Sequence, residues 1–283
     1  MKRLTKISHS IVRKFSFENT VILLAQQFDL FRKLLPLPAE YDDSDFVRVL
    51  RNGIHFEINR SDYMQWKVYA GFDEPVYGYI EKYLSDGMVI DVGANMGAFS
   101  LNIAKSQLKK NDNNFKVVAF EPNPGMANTF RKNLELNPDL VPLIEVHQLA
   151  CGAENRDTKL VFDPSNSGGG KIKDDQGQSV KIIRLDDFLK SEDFEQVKIL
   201  KIDVEGFEPE VLKGAVELIN QSHPLIYLEV TDTWYQNHGS SAGEVIKSLQ
   251  NLNYELFFEQ EDGFKKLINI PDDFQFNLLC VPI

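Results

Sequence analysis

The stretch Val89-Ile90-Asp91-Val92-Gly93-Ala94-Asn95-Met96-Gly97 decides how this chain reads. Met88–Val92 is a short, almost wholly apolar run, as in a strand covered on both faces. Phe99–Leu108 behind it repeats at helical spacing. A loop joining strand to helix is where open α/β sheets bind ligands. Gly93 and Gly97 permit tight backbone geometry and close approach of a ligand. With Ala94 and Asn95 they lead into a helix start, whose free N–H groups can receive a carboxylate. Asp91, at the strand end, is placed to meet an ammonium group. A ligand carrying an amino-acid moiety offers both. The spacing is not the dinucleotide G-x-G-x-x-G, because Asn95 stands where its second glycine would be.

Outward from this loop the pattern is strand, helix, strand, helix. Strands are expected at Lys116–Phe120, Ile144–Ala150, Val197–Val204 and Leu225–Val230, and helices at Gly125–Leu136, Pro209–Asn220 and Ala242–Leu252. Crossover helices imply parallel strands. Tyr254–Glu259 and Phe276–Val281 have only a short polar connection, so they should pair antiparallel. Lys159–Phe162 and Val180–Leu185 read as an inserted hairpin around Gly168–Gly170, with Ser165–Gly170 a tip or lid. The expected fold is α/β and Rossmann-like, a seven-stranded, mostly parallel sheet with an antiparallel terminal pair. Before it, residues 1–45 form a helical arm and residues 46–85 a β-hairpin and helix; residues 86–283 form the main domain. Asn52-Gly53 between alternating apolar residues marks the hairpin turn.

Two further strand ends carry acids. Glu121-Pro122-Asn123 ends the strand after the glycine loop, where a carboxylate can hold ribose hydroxyls. Lys201-Ile202-Asp203-Val204-Glu205-Gly206 ends another. Lys201 and Asp203 face one side of their strand, and a lysine in an apolar strand needs a carboxylate partner. Asp203 then emerges beside the glycine loop, with Glu205 on the turn. The bland reading makes Lys201–Asp203 a structural pair, and Glu205 and Glu208 helix-dipole residues. His238 lies in the loop after Leu225–Val230 and is a second candidate base; His147 reads as a core residue. Asp203, Glu229 and Asp232 are placed to hold a divalent cation, the alternative to a metal-free site.

These strings, with Val211-Leu212-Lys213-Gly214-Ala215 and Leu228-Glu229-Val230, resemble the FkbM family of methyltransferases over roughly residues 70–260. The resemblance includes Phe72-Asp73-Glu74-Pro75. It implies the class I methyltransferase version of the fold, S-adenosylmethionine as cofactor, and O-methylation of a sugar, glycan or polyketide-type hydroxyl. Carried onto this chain, the cofactor would meet Glu74, Asp91, Gly93, Ala94, Asn95, Gly97, Glu121, Pro122, Asn123, Ala150 and Asp203. The sulfonium is already an activated methyl donor, so the protein must align the acceptor oxygen and take its proton. Asp203 and Glu205 come first for that base and His238 second. A nucleotide-sugar or NAD-dependent oxidoreductase is the alternative enzyme, though no Tyr-x-x-x-Lys pair follows the glycine loop; the one in the chain, Tyr63–Lys67, precedes it. A non-catalytic scaffold should have lost Asp91, Glu121 or Asp203, and all three are present.

Composition sets the remaining bounds. A net charge of −11 disfavours nucleic-acid partners, whose binding needs clustered Lys and Arg. Basic residues gather only at Lys2, Arg3, Lys6, Arg13 and Lys14, enough for a weak peripheral contact with an anionic membrane. No apolar run approaches the roughly 20 residues of a span. Cys151 and Cys280 read as packed thiols in a reducing, cytoplasmic setting.

Overall fold

The computed structural model describes residues 18–25, 29–72, 76–84, 86–108, 110, 114–163, 166–172, 177–237, 239–260, 263–268 and 275–283. The basic N-terminal residues, with their suggested membrane contact, lie outside this set, as do Glu74 and His238. The chain forms two compact units, Met1–Glu74 with Asp163–Ser167, and Pro75–Phe162 with Gly168–Ile283. Helix Val76–Tyr83 therefore groups with the main sheet, not with the hairpin.

In the first unit, β1 (Phe46–Arg51) and β2 (Ile54–Asn59) pair antiparallel with Arg51 opposite Ile54. Asn52 and Gly53 take φ of 52° and 78°, the two left-handed residues of a turn whose twist matches the strands. Helix Glu18–Ala25 and a 3₁₀ segment, Asp29–Leu34, are what the described residues show of the helical arm.

The second unit is built on a sheet. In chain order the remaining strands are β3 (Met88–Val92), β4 (Lys116–Phe120), β5 (Ile144–His147), β6 (Ala150–Cys151), β7 (Arg156–Asp163), β8 (Asn166–Ile172), β9 (Gln178–Ile183), β10 (Val197–Ile202), β11 (Leu225–Thr231), β12 (Tyr254–Gln260), β13 (Gly263–Lys266) and β14 (Gln275–Pro282), with Asp163 of β7 and Asn166 and Ser167 of β8 assigned to the first unit. Among the described residues eight make the main sheet, in the order β13-β12-β14-β11-β10-β3-β4-β5. From β5 to β11 neighbours are parallel, and β14 runs antiparallel between β11 and β12. The expected seven strands are there. The eighth is β13 at the edge, formed within the segment read as a polar loop.

The insertion is larger than a hairpin. β6, β9, β7 and β8 form a second sheet in that order. Gly168–Gly170 lie in strand β8, not at a tip or lid, and Ser165 lies outside the described residues. Ala150 begins β6 and pairs with Ile182. Cys151 and Cys280 are buried free thiols whose pKa values burial pushes up.

The strand order positions the site. The chain runs β3, β4, β5 to one side, then returns to lay β10 and β11 on the other. Adjacent carboxyl ends of β3 and β10 thus mark the switch point where such sheets form a ligand crevice. The side chains of Ile90, Val92, Leu200, Ile202 and Leu228 beneath it are at most 1% exposed, which fixes the strand ends on rigid backbone.

Candidate active site

Backbone contacts at the switch point are close. Asp203 N–H donates to the Val92 carbonyl at 3.0 Å, and Gly93 and Ala94 N–H both donate to the Phe120 carbonyl at 2.9 and 3.0 Å. A Cβ on Gly93, whose φ is 80°, would lie 1.8 Å from the Asp203 carbonyl oxygen. On Gly97, with φ of 86°, it would lie 2.1 Å from Phe130. Both glycines are therefore required by neighbouring protein atoms. Asn95 is also left-handed, with φ of 50°. Its side-chain oxygen accepts from Met96 N–H at 2.7 Å.

Lys201 lies beneath the crevice. Its Nζ donates to the Gly93 carbonyl at 2.9 Å and stands 3.2 Å from Asp91 Oδ1 and 3.5 Å from Asp203 Oδ2. The expected Lys201–Asp203 pair exists, but Asp91, in register on β3, is the nearer partner. Asp91 is fully enclosed and accepts from Ser100 Oγ at 2.6 Å. The expectation that Asp91 meets a ligand ammonium is thus not reflected in its placement: Lys201 needs a counter-charge, and Asp91 supplies it from within the sheet. Asp203, just past the carboxyl end of β10, has a side chain 41% exposed. Sequence reading missed Ser100, whose signal was a small polar residue between Phe99 and Leu101 on an apolar helix face.

Glu121 ties the two loops together. One oxygen accepts from Asn95 N–H at 2.7 Å and the other from Asn123 N–H at 2.8 Å. Burial raises its pKa to about 7 against the pull of those N–H donors and Lys201. Pro122 follows, and Asn123 caps helix Pro124–Glu135 by accepting from Gly125 N–H at 2.9 Å. His147, read as a core residue, instead ends β5 with its side chain 30% exposed, stacked on Phe120 at 5.5 Å.

The turn after β10 carries Glu205 with φ of 55°, a costly conformation for a residue with a side chain. Its half-buried carboxyl is raised to about 7, by burial first and then by the Glu229 and Asp203 carboxylates. Asp232 is spent elsewhere: it accepts from Ala242 N–H at 2.8 Å and Gln236 Nε2 at 2.6 Å. Among the described residues no three His, Cys, Asp or Glu side chains gather as metal ligands, and the proposed Asp203, Glu229 and Asp232 set does not assemble.

A profile of the Methyltransferase FkbM domain matches residues 91–256. The chain belongs to the FkbM methyltransferase family. It is similar to Methyltransferase 1 of Beauveria bassiana, 31% identical over 46% of this chain and 58% of that protein. The hexuronic acid methyltransferase AglP of Haloferax volcanii is 29% identical over 53% of this chain and 59% of its own. The 2-O-methyltransferase NoeI of Sinorhizobium fredii is 24% identical over 52% and 64%. The chain thus spans less than two thirds of each of these relatives. The crystal structure of an FkbM methyltransferase from Methylobacillus flagellatus covers 73% of this chain and 50% of its own, at 18% identity and a TM-score of 0.46.

The family match begins at Asp91 and ends in β12, so it takes in the glycine loop, Glu121 and the Lys201–Glu205 turn. No helix among the described residues of this FkbM chain is long and apolar enough to cross a membrane.

Proposed function

We propose that the chain transfers a methyl group from S-adenosylmethionine to a hydroxyl oxygen, with Glu205 as the base. The observation that carries the reading is the Glu205 turn, a half-buried carboxyl with a pKa near neutrality beside the switch point. S-adenosylmethionine supplies an electrophilic methyl carbon and a sulfonium leaving group. Its net positive charge suits strand ends where Glu121 and Asp203 carry carboxyls beside Lys201. The glycine loop, Glu121 and Asp203 would hold the cofactor. Glu205 then removes the acceptor proton as the oxygen bonds to carbon and the carbon–sulfur bond breaks, leaving a neutral thioether and a protonated carboxyl. Asp203, already turned toward Lys201, is the weaker candidate base.

A sugar or glycan hydroxyl is the proposed acceptor, supported by relatives named for hexuronic acid and 2-O-methylation. Incubation with methyl-labelled S-adenosylmethionine and a panel of hexuronic acids, neutral glycosides and hydroxylated polyketides tests this. Label should appear on a sugar oxygen; label on carbon or nitrogen alone would refute the reading.

Two opposite pH dependences follow. Glu121, Glu205 and Glu208 have folded pKa values of about 7, 7 and 8, above the ordinary 4.5. Each holds its proton more tightly when folded, so this stabilisation is complete below about pH 4.5 and is lost through about pH 7–8. The melting temperature of ligand-free protein should fall across that window. S-adenosylmethionine affinity should rise over about pH 6 to 7.5, because ionised Glu121 is the better acceptor for ribose hydroxyls. Melting curves and calorimetric titrations over the same buffers check both slopes.

A further inference from the structure

Glu208 opens helix Glu208–Lys213 and is 1% exposed. An acid in the first turn of a helix ordinarily faces solvent and the helix dipole. This one turns back. Its Oε1 accepts from Val204 N–H at 2.9 Å and its Oε2 from Gly206 N–H at 3.0 Å. Those two N–H groups flank Glu205. Both oxygens of one buried carboxyl thereby accept from the residues before and after the left-handed one.

The turn is also held from the other side. A Cβ on Gly206, whose φ is 100°, would lie 2.7 Å from Trp234 Cβ, so the backbone rests against helix Asp232–Gln236. Tyr235 on that helix is fully buried and donates to the Glu229 carbonyl at 2.7 Å. Strain in a turn persists only where its surroundings over-determine it, and here Glu208 and Trp234 do so. We infer that Glu208 is a positioning residue: it fixes the backbone that keeps the Glu205 carboxyl half-buried beside Asp203 and Glu229.

This inference rests on the Glu205 reading for its meaning in catalysis, but its geometry is separately testable. Glu208→Asp keeps the carboxyl and shortens its arm by one methylene, so a changed Glu205 titration in that variant reports a moved turn and not a lost charge. Glu208→Gln keeps the volume but sets an amide nitrogen against one of the two N–H donors. In ¹³C-carboxyl NMR titrations Glu205 should move from about 7 toward the ordinary 4.5 in folded Glu208→Gln protein. The Val204 and Gly206 amides should also exchange with deuterium faster. If Glu208→Gln does not fold, Glu208→Asp, one methylene short, is expected to give the same change. An unmoved Glu205 midpoint in either folded variant overturns the inference. Turnover distinguishes the two claims. A Glu205→Gln protein with full turnover removes the base and leaves the placement standing. If Glu205→Gln loses turnover, Glu208→Gln should lower it roughly 10–100-fold alone and less than about twofold on top of Glu205→Gln. Equal losses in both backgrounds would show that Glu208 does not act through Glu205.

Discussion

Glu205→Gln is expected to lower turnover by roughly 10²–10⁴-fold, the range for loss of a general base. The amide keeps the shape of the side chain and cannot take a proton. S-adenosylmethionine affinity should stay within a factor of about two, because Glu205 lies on the turn after β10 and not in the glycine loop. The pH–rate profile of the unmutated protein should carry an acidic limb near 7, where the Glu205 carboxyl is raised. That limb should be missing from the residual activity of the variant. Asp203→Asn is the control. Its side chain is 41% exposed, and Lys201 keeps Asp91 when it is lost. A larger fall in turnover for Asp203→Asn than for Glu205→Gln would make Asp203 the base.

Lys201→Met is expected to destabilise the fold by about 3–5 kcal/mol, the usual result of removing one partner from a buried pair. Asp91 is wholly enclosed, and without Lys201 it keeps, among the described residues, the hydrogen bond from Ser100. The Gly93 carbonyl loses its donor in the same change. Denaturant unfolding gives the size of the loss. Adding Asp91→Asn to Lys201→Met should recover part of it, since the stranded charge goes. If Lys201→Met is as stable as the unmutated chain, the ion pair does not hold the loop.

The strands that carry the site were legible because β3, β4, β10 and β11 are apolar runs of ordinary strand length, each ending in an acid or a glycine turn. β13 was not legible. Gly263–Lys266 is four residues with two lysines, and a short charged edge strand looks like a polar loop. The glycines of β8 misled in the other direction, because consecutive glycines favour turns in sequence reading and are tolerated at a sheet edge.

The partner of Lys201 shows a subtler limit. Spacing within one strand pointed to Asp203, two residues on. The nearer carboxylate came from β3, whose alignment puts Asp91 opposite Lys201. Cross-strand register is a long-range property that no local window contains. Glu208 is a similar case. Its place at a helix start suggested a dipole role, whereas its buried carboxyl folds back onto a strained turn. Glu121 was found by its position at a strand end, but its bridge to Asn95 needed the loop in place.

The carboxyl ends of β3, β4 and β10, with their acids, are the proposed site for S-adenosylmethionine. Calorimetric titration of the unmutated chain and of Glu121→Ala, each with S-adenosylmethionine and with NAD, tests that most directly. The unmutated chain should bind S-adenosylmethionine and not NAD, whose pyrophosphate would meet the carboxylate rim. Glu121→Ala should weaken the binding by about 1.5–3 kcal/mol, the worth of hydrogen bonds to a charged group. Tight binding of NAD with none of S-adenosylmethionine would contradict the account.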